Sequence, residues 1–264
     1  MLERQISPDD VVTYVSPLLR QIGVPHAFST RIGGISPEPF GSLNLGNPGG
    51  CDVRDDSDRI RQNYRLLLRA AGCEGRELLA VHQVHAAGVV RVTRDTPHDN
   101  DTKADALVTD DPARVLSVRV ADCVPLLLST GDGRAVAAVH AGWRGVVANI
   151  ATEALNMLRH HGDHTLAAIG PAIGFDAFEV GPEVLDEFAR RFGPSVPIRH
   201  TPDGKGRVDL RECLRRQLID AGIPDEHIDR TDRCTYTHAD EFFSHRRDRG
   251  ITGRMAAVIA TRSS

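Results

Sequence analysis

RVLSVRVADCVPLLLSTGDGRAVAAVHAGWRGVVANIATEALNMLRHH, residues Arg114 to His161, is the stretch that decides the fold. Two apolar runs, Val115–Val120 and Val124–Leu128, bracket Ala121-Asp122-Cys123. Gly131-Asp132-Gly133 then leads into a third run, Ala135–Val139. An Asp-Gly pair between apolar runs predicts a hairpin closed by a two-residue turn. His140 falls where the third run ends, in the glycine-containing segment Ala141-Gly142-Trp143-Arg144-Gly145. Beyond Gly145 the period changes, and Val146, Val147, Ile150, Ala154, Leu155 and Leu158 share one face of a single helix. The pattern therefore sets Cys123 and His140 at the ends of neighbouring strands, close to a helix N-terminus whose N–H groups favour anions.

A cysteine in an apolar strand is ordinarily a small buried hydrophobe. Here Cys123 stands between Asp122 and Pro125, and His140 is followed by two glycines and a tryptophan, which is poor core material. Two chemical readings remain: a thiolate–imidazole nucleophile pair, or two ligands of one metal ion.

Outward from this centre the chain reads as alternating strands and helices. Val11–Val15 is a strand. Residues 31–46 carry two glycine-rich clusters and read as a long ordered loop, a kind of segment that often bears function. Residues 57–71 form an amphipathic helix capped by Asp56 or Ser57 and ended by Gly72. Leu78–Val81 leads to His82-Gln83-Val84-His85; in an extended chain this odd spacing sends the two imidazoles to opposite faces, so one of them at most is a ligand. Val89–Val92 and Ala104–Thr109 are strands around a polar turn at 96–103. Further on come a strand at Leu166–Ile169 and a helix at Pro182–Phe192. Asp209 and Glu212 have capping-box spacing ahead of a helix at Leu210–Ala221, and Met255–Ile259 is a central strand. No repeat or linker interrupts residues 1–264, so the expectation is one α+β domain, with mixed sheets flanked by helices and the active site at strand ends.

Composition excludes several classes. The formal net charge is -4 and no basic block is interleaved with aromatics, against a nucleic-acid face. No run of about 18 apolar residues is present, against a membrane span. The cysteines, Cys51, Cys73, Cys123, Cys213 and Cys234, are odd in number and form no C-x-x-C pair, which fits a reducing, cytoplasmic setting better than a disulfide framework.

The order of short motifs resembles the laccase-domain family, also called multi-copper polyphenol oxidoreductase-like or peptidoglycan-editing-factor proteins. The resemblance rests on Phe28-Ser29-Thr30-Arg31, Ser42-Leu43-Asn44-Leu45-Gly46, Gln83-Val84-His85 and Ala104-Asp105-Ala106. It continues through Ala121-Asp122-Cys123-Val124-Pro125, His140-Ala141-Gly142-Trp143-Arg144-Gly145, Glu179-Val180-Gly181, Cys234-Thr235-Tyr236 and Phe242-Phe243-Ser244. It implies purine nucleoside phosphorylase activity on adenosine, inosine or S-methyl-5'-thioadenosine, with adenosine deamination as a second activity. It also implies a metal site of His85, Cys123 and His140, holding zinc or, in its place, copper. Two departures are visible: Ala86 replaces a glycine common in the family, and Ala177-Phe178 stands where Cys-Tyr is usual.

Three ligands with an open position is the pattern of a catalytic zinc, which acidifies coordinated water to a pKa of about 7, as attack on C6 of adenosine requires. Beside the Cys123 ligand, Glu179 and Asp122 are the expected proton carriers. Arg31, Arg144 and Arg246, with Arg247, are the candidates for binding phosphate, and Asn44, Ser42 and His245 for hydrogen-bonding ribose or base. A blue multicopper oxidase needs about ten histidine ligands, many in His-x-His pairs; the chain has 12 histidines and no such pair, which disfavours oxidase chemistry. Two rivals remain: a metal-free Cys123–His140 hydrolase acting on a peptidoglycan precursor, and a non-enzymatic, metal-dependent binding protein.

Overall fold

In the computed structural model of the chain, which describes residues 1–50, 52–97, 101–162, 164–195 and 197–263, the two apolar runs either side of Ala121-Asp122-Cys123 belong to different sheets. In chain order the elements are β1 (Glu3–Ile6), β2 (Val12–Val15), α1 (Pro17–Gln21), β3 (His26–Ser29), α2 (Ser57–Ala70), β4 (Glu77–Leu79), β5 (Val89–Val92), β6 (Ala106–Thr109), β7 (Arg114–Val120), β8 (Val124–Thr130) and β9 (Val136–Ala141). They continue with α3 (Trp143–Val147), α4 (Ile150–Arg159), β10 (Thr165–Ile169), β11 (Glu179–Val180), α5 (Pro182–Phe192), β12 (Ile198–His200), β13 (Gly206–Val208), α6 (Leu210–Asp220), β14 (Ile228–Arg230) and β15 (Met255–Ile259).

One mixed sheet runs β1-β2-β3-β15-β7-β4 and a second runs β14-β10-β8-β9-β6-β5, with a small antiparallel sheet, β11-β13-β12, beside them. Alternation of side chains along the strands then builds three cores. Leu116, Val118 and Val120 of β7 and Met255, Ala257 and Ile259 of β15 meet Leu127, Val136 and Ala138 of the second sheet between the two sheets. Val115, Ala256 and Val258 point the other way and pack with Leu67 and Ala71 of the α2 region. On the outer face of the second sheet, Leu126, Leu128, Val139 and Ile169 pack under Leu155, Phe188 and Leu214 of α4, α5 and α6. The molecule is thus layered helix, sheet, sheet, helices, an α+β architecture as the sequence implies, with β15 central as expected.

Several expectations are corrected. The hairpin loop between β8 and β9 is longer than a two-residue turn: Thr130 N donates to Ala135 O at 3.0 Å, and the Asp132 carboxylate takes Thr130 Oγ1 and Arg134 N at 2.7 and 3.1 Å, folding the residues between. His140 lies within β9 and not in the loop after it. The single central helix is two, α3 and α4, broken where Asn149 turns left-handed at φ 65°. His85 is not in an extended segment, since its φ is +58°. Asp209 caps α6 by accepting from Glu212 N at 3.1 Å, while the Glu212 carboxylate turns to Arg215 and Arg216 and leaves the capping box half made. Residues 31–46 contain no helix or strand, as expected. Cys73, Cys123, Cys213 and Cys234 are free thiols; Cys51 and residues 98–100 of the expected polar turn lie outside the described residues. No helix among the described residues is long and apolar enough to cross a membrane.

Candidate metal and substrate site

The site forms where the chain passes from one sheet to the other. Asp122, with φ +91°, makes the corner, and Cys123 follows it at the mouth of β8. β9 runs antiparallel beside β8, with His140 opposite Pro125. That register brings the imidazole to the same end as the sulfur. His85 arrives from a separate segment, held against the sheet by Gln83, whose amide donates to Arg119 O at 2.7 Å and accepts from Arg119 N at 2.8 Å. The Gln83 side chain thereby acts as a strand partner for β7.

Asp105 ties the parts together. Its fully buried carboxylate accepts His85 N at 2.9 Å, Ala86 N at 2.7 Å and Val84 N at 3.3 Å, and bonds His140 Nδ1 at 2.8 Å. Three successive backbone donors on one anion explain why His85 takes a left-handed conformation. The bond to Nδ1 fixes the tautomer of His140 and leaves Nε2 for Cys123 or an ion. Burial pushes the Asp105 carboxyl up, but the His140 and backbone bonds outweigh it and hold it below the usual carboxylate range. Burial also pushes the Cys123 thiol up; His140 and His85 overcome this and bring it down to about 6. Burial opposes protonation of His140, and the Cys123 sulfur and Asp105 reverse that, raising it to about 9.

The ligand atoms of His85, Cys123 and His140 lie within 4.8 Å of one another, and the two imidazoles meet edge to face with centroids 4.9 Å apart. Bond lengths of 2.0–2.3 Å to a tetrahedral ion give ligand–ligand edges of about 3.5 Å, so a small rotation of the exposed His85 ring closes the triangle. Gly142 is what leaves room for it. A Cβ there would lie 2.9 Å from His85 Cδ2 and 3.2 Å from Cys123 Sγ. Two imidazoles and a sulfur that favours its thiolate form are a donor set suited to zinc or copper.

These side chains floor a cavity of about 480 Å³, within the size range of small-ligand sites. Asp122, His245 and Arg246 line it. Both oxygens of Asp122 are engaged, one by Thr235 Oγ1 at 2.6 Å and one by Arg246 N at 2.7 Å, so it fixes the loop that carries His245 and Arg246. The other expected residues are placed elsewhere. The Glu179 carboxylate pairs with Lys205 Nζ at 3.0 Å, and its backbone oxygen takes Arg246 Nη1. The Arg31 guanidinium clamps its own loop, donating to Gly41 O and Ala239 O and lying over Phe243. Asn44 is fully buried between Asp55 and Arg254 N. Arg144 is exposed and rests on Trp143. Arg247 holds Thr235 O and Phe242 O, and Ser42 Oγ bonds Arg31 O. The sequence reading missed Arg119, Arg254, Gln83 and Phe178, which line the cavity; Arg119 lies inside an apolar run, where nothing local marks it as a site residue.

The model of the multi-copper polyphenol oxidoreductase laccase family matches residues 25–262. The chain belongs to that family. Among laccase-family relatives, the purine nucleoside phosphorylase YfiH of Shigella flexneri is 38% identical over 237 residues, covering 90% of this chain and 93% of the relative. The purine nucleoside phosphorylase YlmD of Geobacillus stearothermophilus is 36% identical over 253 residues, 91% of each chain. The crystal structure of YlmD from Geobacillus stearothermophilus superposes with a TM-score of 0.87 at 33% identity, covering 98% of this chain and 99% of that one. That of the hypothetical protein YfiH from Bacillus licheniformis gives 0.84 at 31% identity, over 95% and 96%.

Proposed function

We propose that this laccase-family protein is a metal-dependent purine nucleoside phosphorylase that cleaves adenosine, inosine and S-methyl-5'-thioadenosine with phosphate, and that it also deaminates adenosine. The observation that carries the reading is the convergence of His85, Cys123 and His140 at the floor of a cavity whose wall is rich in arginine. The names of its relatives point to the same reaction. Zinc is the proposed ion; when bound with one open position it supplies Lewis acidity and lowers the pKa of coordinated water. His85 and His140 would hold it by neutral imidazole nitrogens and Cys123 by its thiolate. Asp105 keeps His140 in the ligating tautomer. Asp122 is the proposed carboxylate of the wall, holding Arg246 and His245 where they meet the nucleoside. Glu179 serves at one remove, through its backbone oxygen on Arg246. The free thiols accord with the cytoplasmic setting proposed here.

Metal analysis of the purified protein, run alongside product identification from adenosine and phosphate, tests the reading. Adenine with ribose 1-phosphate means phosphorolysis, and inosine with ammonia means deamination. Neither product from zinc-loaded protein would sink it. The lowered Cys123 and raised His140 also suit a nucleophilic pair. That rival requires alkylation of Cys123 at a rate indifferent to zinc and chelators, whereas a ligand thiolate is protected by the ion.

A further inference from the structure

The cavity wall is electrostatically one-sided. Arg119, Arg246 and Arg254 line it, against a single lining carboxylate among the described residues, Asp122, whose oxygens accept Thr235 Oγ1 and Arg246 N. Among the described residues no carboxylate pairs with Arg119 or Arg246. A neutral nucleoside has no use for so much positive charge, and a second ligand bearing negative charge does.

We propose that Arg119 and Arg254 form the subsite for inorganic phosphate, an assignment that rests on the phosphorylase reading above. β7 and β15 pair antiparallel with Ala256 opposite Arg119 and Met255 opposite Val120. Residue 254, two before Ala256, is therefore the diagonal neighbour of Arg119 on the same face of the sheet. Such diagonals are about 7–8 Å apart, within reach of long side chains. Both arginines pass along the Cα of Gly46, where a Cβ would stand 2.9 Å from Arg119 Cδ and 3.5 Å from Arg254 Cγ. Arg119 stands within β7, and Arg254 immediately precedes β15. Arg119 is further fixed by the paired Gln83 bonds to its backbone, and Arg254 by Nη1 bonds of 3.0 Å to Thr252 O and Gly253 O. Two guanidinium forks brought to one cavity wall from neighbouring positions of the sheet match a phosphate dianion. Arg246 differs, lying exposed over Phe178 with one nitrogen on Glu179 O, a position suited to the nucleoside.

Kinetics of the metal-loaded protein decide this. Each of Arg119→Gln and Arg254→Gln should raise KM for phosphate by about 10-fold or more, as loss of a charge-assisted contact does, and leave KM for inosine within about twofold. Arg119→Lys should recover part of the loss, and Arg246→Gln should move KM for inosine instead. Metal content and retained adenosine deamination report an intact cavity. Calorimetric titration with inorganic phosphate gives an independent arm, in which wild-type protein binds and the Arg119→Gln/Arg254→Gln variant does not. Phosphorolysis with an unchanged phosphate KM overturns the subsite and spares the function. Phosphate binding lost in the variant, but without phosphorolysis in the wild type, spares the subsite and overturns the function. No phosphate binding and no phosphorolysis overturns both. If the variant loses affinity for adenosine 5'-monophosphate while inorganic phosphate is unaffected, the pair recognises an esterified phosphate and the assignment to the co-substrate fails.

Discussion

Asp105 gathers four N–H donors on one carboxylate, three from the backbone at Val84, His85 and Ala86 and one from His140. An amide at this position can accept on one atom only and would turn a second N–H donor toward the others. Asp105→Asn should therefore weaken metal binding by about 10–100-fold, the usual effect of losing a partner behind a ligand, although residue 105 is itself no ligand. Competition against a chelating dye measures this, and an unchanged Kd would remove the positioning role. Gly142→Ala makes the complementary test. Its φ of -71° suits alanine, so the backbone tolerates the change, but the new methyl enters the space of His85 and Cys123. Bound metal should fall well below one equivalent, while the melting temperature shifts by no more than a few degrees. Of the three proposed ligands, Cys123 and His140 were legible because each stands in a distinctive proline- or glycine-containing context, whereas His85 stood out only through the family resemblance of Gln83-Val84-His85. Arg119 and Arg254 were not. Their neighbourhood is made by strand pairing between distant parts of the chain, which no local pattern records. Conversely, Arg31 and Asn44 sit in conspicuous motifs for a reason the sequence hides: they hold the 31–46 loop together from within.

Among the elements, the break between α3 and α4 shows how a sequence pattern can be right about faces and wrong about continuity. Val146, Ile150, Ala154, Leu155 and Leu158 are all buried on one side, as their period implies. A single left-handed residue, Asn149, resets the helix direction without disturbing that spacing. Asn149 Oδ1 takes the Thr152 hydroxyl at 3.0 Å, a local bond that favours asparagine in this conformation. Replacing it with glycine should be nearly neutral, whereas Asn149→Val should cost about 1–2 kcal/mol, the left-handed penalty of a side chain. Urea unfolding of the two variants separates them, and equal losses would mean that the side chain and not the backbone matters. Some of the strands that escaped the sequence reading have no alternation to detect. β1 and β12 are short and largely exposed, and their pairing depends on partners supplied by the rest of the fold.

At the scale of the whole molecule, the two sheets are joined by a buried polar chain as well as by apolar packing. His26 of β3, 4% exposed, accepts Ser16 N on Nε2 at 2.7 Å and bonds Val24 O through Nδ1 at 2.8 Å. Ser16 Oγ in turn donates to Asp229 of β14, across in the second sheet, at 2.7 Å. A proton on Nε2 would destroy the acceptor for Ser16 N and leave a charge in the interior. Burial accordingly lowers His26 from 6.5 to about 4, against the pull of the Val24 carbonyl and Asp229 and with the help of Arg20. The sign follows from which state binds more protons. Between pH 6.5 and 4 the unfolded chain is protonated at this residue and the folded one is not, so stability present above pH 6.5 is lost as pH falls and reaches its full loss below about pH 4. The full depression corresponds to about 3 kcal/mol, of which about 2 kcal/mol is lost by pH 5. Other groups titrate in the same window, the proposed metal ligands among them. The informative quantity is therefore the difference between wild type and His26→Gln at each pH, in which shared titrations cancel. From pH 7 to pH 5, urea unfolding should show the wild type losing about 2 kcal/mol more than the variant. Parallel pH profiles would mean that His26 titrates alike in the folded and unfolded states and that the seam between the sheets is not acid-sensitive at this residue.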